Sequence, residues 1–428
     1  MKYHLEKSNG YSVATIEQKS SKTVLAYISV DLHTESSAES RATELIYTEA
    51  LLSGAGKYSR AEFLDVLNQL GASISVSISD GVLTVFIRTS ADAYKKVLTL
   101  LEIMLKEPTF RKTELIRIKL TTVNEIKESK ENSKAIAKEE LRNSIYSLHD
   151  RRYTNDEDTS IKQIATITPK HLQKLHTKLR TTVWTCTQAS GAPEIELFKK
   201  TIEKCNQAKG DAEPLRIHQQ KPPQPGLTLR DIPSRQNIDF SIGAPLPITM
   251  HHPDFLPLMF GITVLGKLGG FTGRLMSTVR EQEGLTYGIY ASSESFYLEE
   301  QGYWRIMTFF SPKQALQGLA STFREVRKIY NEGITKEELL KFKKILKTGQ
   351  ALKNDSTASL LSELHAYHSQ QFTLNEMEKY RNSILNVTLK EVNAAIKTYL
   401  NPSTLTISGA GPVKSVRKDL QTFAKTVS

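Results

Sequence analysis

The sequence predicts an α+β protein of two similar domains, each an antiparallel β-sheet covered by α-helices. Three observations lead there: a long segment that occurs twice, strand patterns grouped with blocks of helix, and a proline-rich stretch between the halves. The repeat is clearest at the two ends. "RRYTNDEDTSIKQIATITPKHLQKLHTKLRTTVWTCTQASGAP" in the first half answers to "QQFTLNEMEKYRNSILNVTLKEVNAAIKTYLNPSTLTISGAGP" in the second. Tyr153-Thr154 matches Phe372-Thr373, Ile167-Thr168 matches Val387-Thr388, and Ser190-Gly191-Ala192 matches Ser408-Gly409-Ala410 at a near-constant offset. Upstream, "KEPTFRKTELIRIKL" resembles "NEGITKEELLKFKKIL".

The first domain, residues 1–212, opens with strands near Tyr11–Gln18 and Thr23–Asp31. Helices follow near Ala38–Ser53 and Ser59–Leu70, separated by a glycine-containing break. "GASISVSISDGVLTVFIRT" alternates in both arms around Asp80-Gly81 and reads as a hairpin. Long helices run from Ala91 to Glu128 and on to about Ser147, and a last helix leads to the strand "TTVWTCTQAS". Residues 213–230 form an extended linker, because Pro214, Pro222, Pro223 and Pro225 disfavour helix. The second domain, 231–428, repeats the order with "NIDFSIGAP", a helix over "PDFLPLMFGITVLGKL", paired strands "LTYGIYASSESF" and "GYWRIMTFFS", further helices and "STLTISGAG".

Composition excludes several classes. The 428 residues suffice for two cores, and 39% apolar with 24% charged residues is ordinary for a globular protein. No apolar run is long enough to span a membrane, and "MKYHLEKSNGYSVATIEQ" has no apolar core of a secretory signal. The net charge of +11 comes from lysines scattered among acidic residues, and no nucleic-acid motif accompanies it. A solvated basic surface accounts for it, and no nucleic-acid partner is expected. Cys186 and Cys205 are the two cysteines, with no disulfide framework and no metal-type spacing. No two histidines form H-x-x-x-H. His365 and His368 share a helix face without an acid between them, and His251-His252 precede a helix, so all four are expected as solvated or capping groups.

The segment "LGKLGGFTGRLMSTVREQEGLTYGIYASSESF", with its Gly-rich turn, R-L-x-x-x-V-R-E helix and G-L-x-Y strand, resembles the insulinase/pitrilysin family of zinc peptidases. The resemblance runs from about Tyr11 to Pro412 and is strongest to the short two-domain branch, mitochondrial processing peptidase-like, which implies half of a clamshell. Such a peptidase carries H-x-x-E-H on a helix, two imidazoles one turn apart and a glutamate that deprotonates the metal-bound water. Aligned on "EALLSG", the motif falls on Leu45, Ile46, Tyr47, Thr48 and Glu49. Leu45 stands at the first histidine, Thr48 at the catalytic glutamate, Glu49 at the second histidine, and Glu125 at the distal ligand. Leu45 has no lone pair and Thr48 is no carboxylate base, so no metal is expected on this chain. A weak cation between Glu49 and Glu125 is the alternative to ordinary carboxylates.

The resemblance also implies that Arg280 and Tyr287, in "REQEGLTY", act in trans on the oxyanion formed at another chain's zinc. By the residues alone, Leu285, Tyr287 and Ile289 share one strand face, as core residues do, and Arg280 sits where it would complement a helix C-terminus. The implied function is the non-zinc subunit of a heterodimeric zinc peptidase, inactive alone, working on unfolded peptides with an H-x-x-E-H partner that holds the zinc. An inert structural or peptide-binding scaffold of the same family is the competing expectation. Bacterial paired subunits of this type imply the periplasm, with the cytoplasm as the alternative.

Overall fold

The structure, a computed structural model, describes residues 3–18, 22–32, 36–210, 220–266, 273–354 and 356–427. In chain order the first half runs β1 (Tyr3–Ser8), β2 (Tyr11–Glu17), β3 (Thr23–Asp31), α1 (Ala38–Leu51), β4 (Gly54–Ala55), β5 (Tyr58–Ser59), α2 (Arg60–Gln69), β6 (Ser73–Ser79), β7 (Val82–Ser90), α3 (Ala91–Lys106), α4 (Lys112–Ser129), α5 (Ser133–Ile145), α6 (Glu157–Thr166), α7 (Pro169–Thr181), β8 (Trp184–Ser190) and α8 (Ala192–Cys205). The second half runs β9 (Gly226–Asp231), β10 (Ile238–Pro245), α9 (Phe255–Gly266), a π-helical turn (Met276–Gln282), β11 (Ile289–Glu294), β12 (Tyr303–Phe310), α10 (Ala315–Glu332), α11 (Lys336–Asn354), α12 (Thr357–Ser369), α13 (Leu374–Asn386), α14 (Leu389–Tyr399), β13 (Thr406–Gly411) and α15 (Arg417–Val427).

Two compact units result, and neither is one continuous half. Unit 1 comprises Met1–Lys127, Asn155–Arg216 and Ala351–Lys379; unit 2 comprises Glu128–Thr154, Ile217–Gln350 and Tyr380–Ser428. Helix α5, encoded before the linker, thus belongs to unit 2, and α12, encoded after it, to unit 1.

Unit 1 is built on a sheet of order β1-β2-β8-β3-β7-β6. All pairs are antiparallel except β2 with β8. One face carries Ala26, Ile28 and Val30 of β3 and Leu83, Val85 and Ile87 of β7. These pack into a core with Leu101 and Met104 of α3, Leu172 and Leu179 of α7 and Phe198 of α8. The opposite face is polar, with Ser29, Thr84 and Thr187, and α12 lies on it. The β6–β7 turn places both Asp80 (φ 49°) and Gly81 (φ 74°) in the left-handed region, the geometry a tight two-residue hairpin demands.

Unit 2 repeats the plan. Its sheet has order β11-β12-β10-β13-β9, with β9 and β13 parallel. This matches β6-β7-β3-β8-β2 strand for strand; among the described residues unit 1 adds β1 to its sheet and the short β4–β5 pair beside it. Phe240, Ile242, Trp304 and Ile306 face a core completed by α9, α10, α14 and α15. On the polar face lies α5. Its Ser133 hydroxyl donates to Asp239 and its Lys138 pairs with Glu294 at 2.9 Å. Ala137 packs on Ile232 and Ala410, and Leu141 and Ile145 pack with Tyr146 on Tyr303.

The sequence-based element order holds, with local corrections. Strand β1 was not expected, and β9 begins inside the stretch read as linker, of which 211–219 lie outside the described residues. The long helix from Ala91 breaks at Pro108, beside which Phe110 takes φ 38°, and resumes as α4. Helix onset follows local chemistry. Ser59 and Glu62 form a reciprocal cap at α2, and Thr388 with Glu391 repeat it at α14.

Candidate functional site

Helix α1 carries the degenerate motif. Its apolar positions Ala42, Ile46, Tyr47 and Ala50 face the core. One turn apart on the other side stand Leu45, half exposed, and Glu49, partly exposed, with Thr48 beside them. Arg117 of α4 reaches across: its Nη2 donates to Glu49 Oε1 at 2.8 Å, and its Nε to Glu114 Oε2 at 3.0 Å. Glu125 lies two turns further along α4 and is exposed. The structure joins Glu49 to the Arg117 guanidinium, as an ordinary carboxylate would be. Among the described residues no group of three or more His, Cys, Asp or Glu side chains is placed to hold a metal ion. Leucine offers no donor and the Glu49 carboxylate already neutralises a cation. This donor set does not fit a catalytic zinc.

Beneath the motif, the sequence reading missed a pair. The Tyr47 hydroxyl lies 2.7 Å from Nδ1 of His176, whose Nε2 lies 3.0 Å from the Leu105 carbonyl. A carbonyl can only accept, so Nε2 carries the proton and Nδ1 accepts from Tyr47. Burial lowers the His176 pKa to about 4 and keeps the ring neutral. The sequence clue was Tyr47 itself, a polar tip at a core position of the helix.

In unit 2 the second set of residues comes together. Arg280 lies within the π-helical turn, an uncommon geometry that recurs at functional sites. The helix start expected near Thr272 falls outside the described residues. The turn closes through Gly284, at φ 64°, whose N–H donates to the Arg280 carbonyl while that of Leu285 donates to Val279. The guanidinium carbon of Arg280 sits 5.2 Å from the centre of the Tyr287 ring. Tyr287 is 72% exposed, whereas Leu285 and Ile289 are buried. The strand expected to hold Tyr287 begins only at Ile289. The three residues thus do not form a core stripe: the chain bends at Tyr287 and turns its side chain out.

The histidines on α12 are not solvated. His365 lies 2.9 Å from both the Ser29 and Thr187 hydroxyls and stacks on Tyr27 at 4.5 Å. Nε2 of His368 lies 2.9 Å from the Ser12 hydroxyl. Burial lowers their pKa values to about 3 and about 4, His365 also through repulsion from His368. His252 does act locally, accepting from the Asp254 N–H at the start of α9. Cys186 and Cys205 are buried free thiols, and burial pushes the Cys205 pKa up to about 12.

Two similar sheet-and-helix units, one whose first helix carries no H-x-x-E-H and one presenting an arginine–tyrosine pair, define a zinc-peptidase-like architecture without that motif. The chain belongs to the insulinase family, peptidase family M16: residues 13–155 match "Insulinase (Peptidase family M16)" and 167–346 match "Peptidase M16 inactive domain". A curated relative, the non-peptidase homolog YmxG of Helicobacter pylori, is 30% identical over 166 residues, 39% of this chain and 38% of that protein. The alignment thus spans well under half of that relative's length. Among solved structures, the peptidase M16 inactive domain from Pseudomonas fluorescens superposes with a TM-score of 0.85 at 21% identity, covering 96% of this chain and 98% of that one. The periplasmic protease PqqL of Escherichia coli superposes at 0.76 and 13% identity, covering 96% of this chain but 46% of its own. No described helix is long and apolar enough to cross a membrane.

Proposed function

We propose that this chain is the non-zinc subunit of a two-chain zinc peptidase, and that it supplies Arg280 and Tyr287 to an active site whose metal a homologous H-x-x-E-H subunit carries. The observation behind it is the pairing of an exposed Tyr287 with Arg280 in a chain whose own motif presents Leu45 where a ligand belongs. PqqL supports the pairing indirectly, because its chain leaves room for a second body of this size. Its periplasmic description supports the same compartment for the pair.

Each residue then has a role. A zinc held by the partner would supply the activated water, and negative charge would develop on the oxygen of the peptide carbonyl under attack. The Arg280 guanidinium and the Tyr287 hydroxyl donate hydrogen bonds to it, each worth roughly 3–4 kcal/mol in the transition state. Substrate is an unfolded peptide that adds as an extended strand through main-chain hydrogen bonds. Strand β6, at the end of its sheet with Ser73, Ser75, Ser77 and Ser79 exposed, is suited to that.

The test is reconstitution. Alone, the chain neither binds zinc stoichiometrically nor cleaves peptides; mixed with the zinc-bearing homologue from its own cell, peptidase activity appears. Arg280→Ala and Tyr287→Phe each lower kcat by about a hundredfold with little change in KM. Full activity of the mixture carrying both substitutions excludes this function. That result would favour the second reading, an inert peptide-binding scaffold, which the description of YmxG as a non-peptidase homolog supports.

A further inference from the structure

From Leu285 to Ile289, Leu285, Thr286, Gly288 and Ile289 are buried and Tyr287 alone is exposed. Something must hold an aromatic residue out in water against the attraction of a neighbouring apolar core. The backbone ladder does not: β11 pairs with β12 only from Ile289 onward, opposite Thr308. The restraint comes from two buried hydroxyls. Thr286 Oγ1 accepts from the Gly288 N–H at 3.2 Å and lies 3.1 Å from the Gly288 carbonyl, so one side chain closes a loop around Tyr287. Thr308 Oγ1, from β12, lies 3.2 Å from the same carbonyl and 3.4 Å from Thr286 Oγ1. On the far side, the Ile289 N–H faces the Met276 sulfur at 3.4 Å, tying the strand to the turn that carries Arg280.

We propose that Thr286, with Thr308, is a positioning residue that clamps the Gly288 peptide and so fixes Tyr287 outward beneath the Arg280 guanidinium. It rests on the reading that Arg280 and Tyr287 meet substrate, and deepens it. Both threonines are buried, so each acts through the backbone that bears the tyrosine. An ordinary strand residue at 286 would give the peptide no side-chain acceptor, and the kink would relax into the regular alternation that the sequence pattern suggests.

Thr286→Val keeps the shape and deletes the hydroxyl, Thr286→Ser keeps the hydroxyl, and Thr308→Val removes the second contact. Two readouts need only the isolated full chain. One is amide exchange of Gly288; the other is the Tyr287 ring signal in protein labelled at tyrosine ring carbons, assigned with Tyr287→Phe. In Thr286→Val the Gly288 amide exchanges about tenfold faster and the ring signal moves toward that of free tyrosine. In Thr286→Ser both stay within about twofold of the parent, and Thr308→Val falls between. A Thr286→Val protein with unchanged exchange and unchanged ring signal overturns the proposal. In the mixed peptidase, Thr286→Val lowers kcat about tenfold with KM held, and Thr286→Ser restores it. If both isolated-chain signals move while the mixture keeps full kcat, the clamp stands and the catalytic role of Tyr287 is what fails.

Discussion

The Tyr47 hydroxyl donates to a neutral imidazole inside the core, whereas Arg117 joins Glu49 and Glu114 at a surface where each side chain is about a third exposed. The two contacts flank the same motif but differ in weight. Removing the first leaves a buried acceptor on His176 with no donor, which costs about 1–3 kcal/mol. Removing the second returns charges to water, and exposed ion pairs contribute at most about 1 kcal/mol. Urea unfolding of Tyr47→Phe and Arg117→Ala should therefore rank the tyrosine variant as clearly less stable, although the arginine carries the formal charge. Equal midpoints would mean that the imidazole finds another donor or turns its tautomer.

At the scale of elements, one local backbone constraint lies at the end of the π-helical turn. Gly284 holds φ 64°, and a Cβ there meets no atom within 4 Å, so the penalty for a side chain is conformational and not steric. Gly284→Ala should cost about 1–2 kcal/mol by the strain of an L-residue in the left-handed region. Thermal unfolding measures it; an unchanged midpoint would show that the turn relaxes without loss. Such local signals were legible in the sequence: the Asp80-Gly81 hairpin, strand β3 at its observed ends, and the start of α2 at Ser59. What was not legible depends on partners distant in sequence. Strand β9 is short and proline-flanked, and it is a strand because β13 lies beside it in parallel register. The polar tips of His365 and His368 look solvated until Ser12, Ser29 and Thr187 from three strands meet them. Tyr287 alternates correctly for a strand, and the strand it would belong to begins only at Ile289, past the buried hydroxyl contacts at Gly288.

At the scale of the whole molecule, the repeat in the sequence becomes two units that each borrow a helix from the other half of the chain. The borrowed helices bind polar sheet faces, α5 through Ser133 and Lys138, α12 through its histidines. Glu294, the partner of Lys138, has its pKa pushed up by burial but held down at about 2 overall by Arg305 and Lys138, so α5 keeps its ion pair to strongly acidic pH. Helix α12 is the acid-sensitive one. His368, like His176 of the same unit, is held neutral with a pKa near 4, against about 6.5 in an unfolded chain. Below pH 6.5 the unfolded state binds the proton first, so this stability is complete above that pH and is lost as pH falls toward 4. Between pH 7 and 5 each of the three buried histidines of this unit, His176, His365 and His368, accounts for a loss of about 2 kcal/mol at most. Glu139 and Glu300 oppose part of it, because burial raises their pKa values and acid relieves their charge. Lys7 adds to the resistance of His368 to protonation, and Ser12 is the hydroxyl its Nε2 meets. His368→Gln keeps an amide within reach of Ser12 while removing the titration. Urea unfolding of parent and variant at pH 7, 6 and 5 should give parallel lines only if His368 does not titrate on unfolding. The expected result is a variant weaker at pH 7 whose stability falls less steeply, the gap narrowing by about 2 kcal/mol at pH 5.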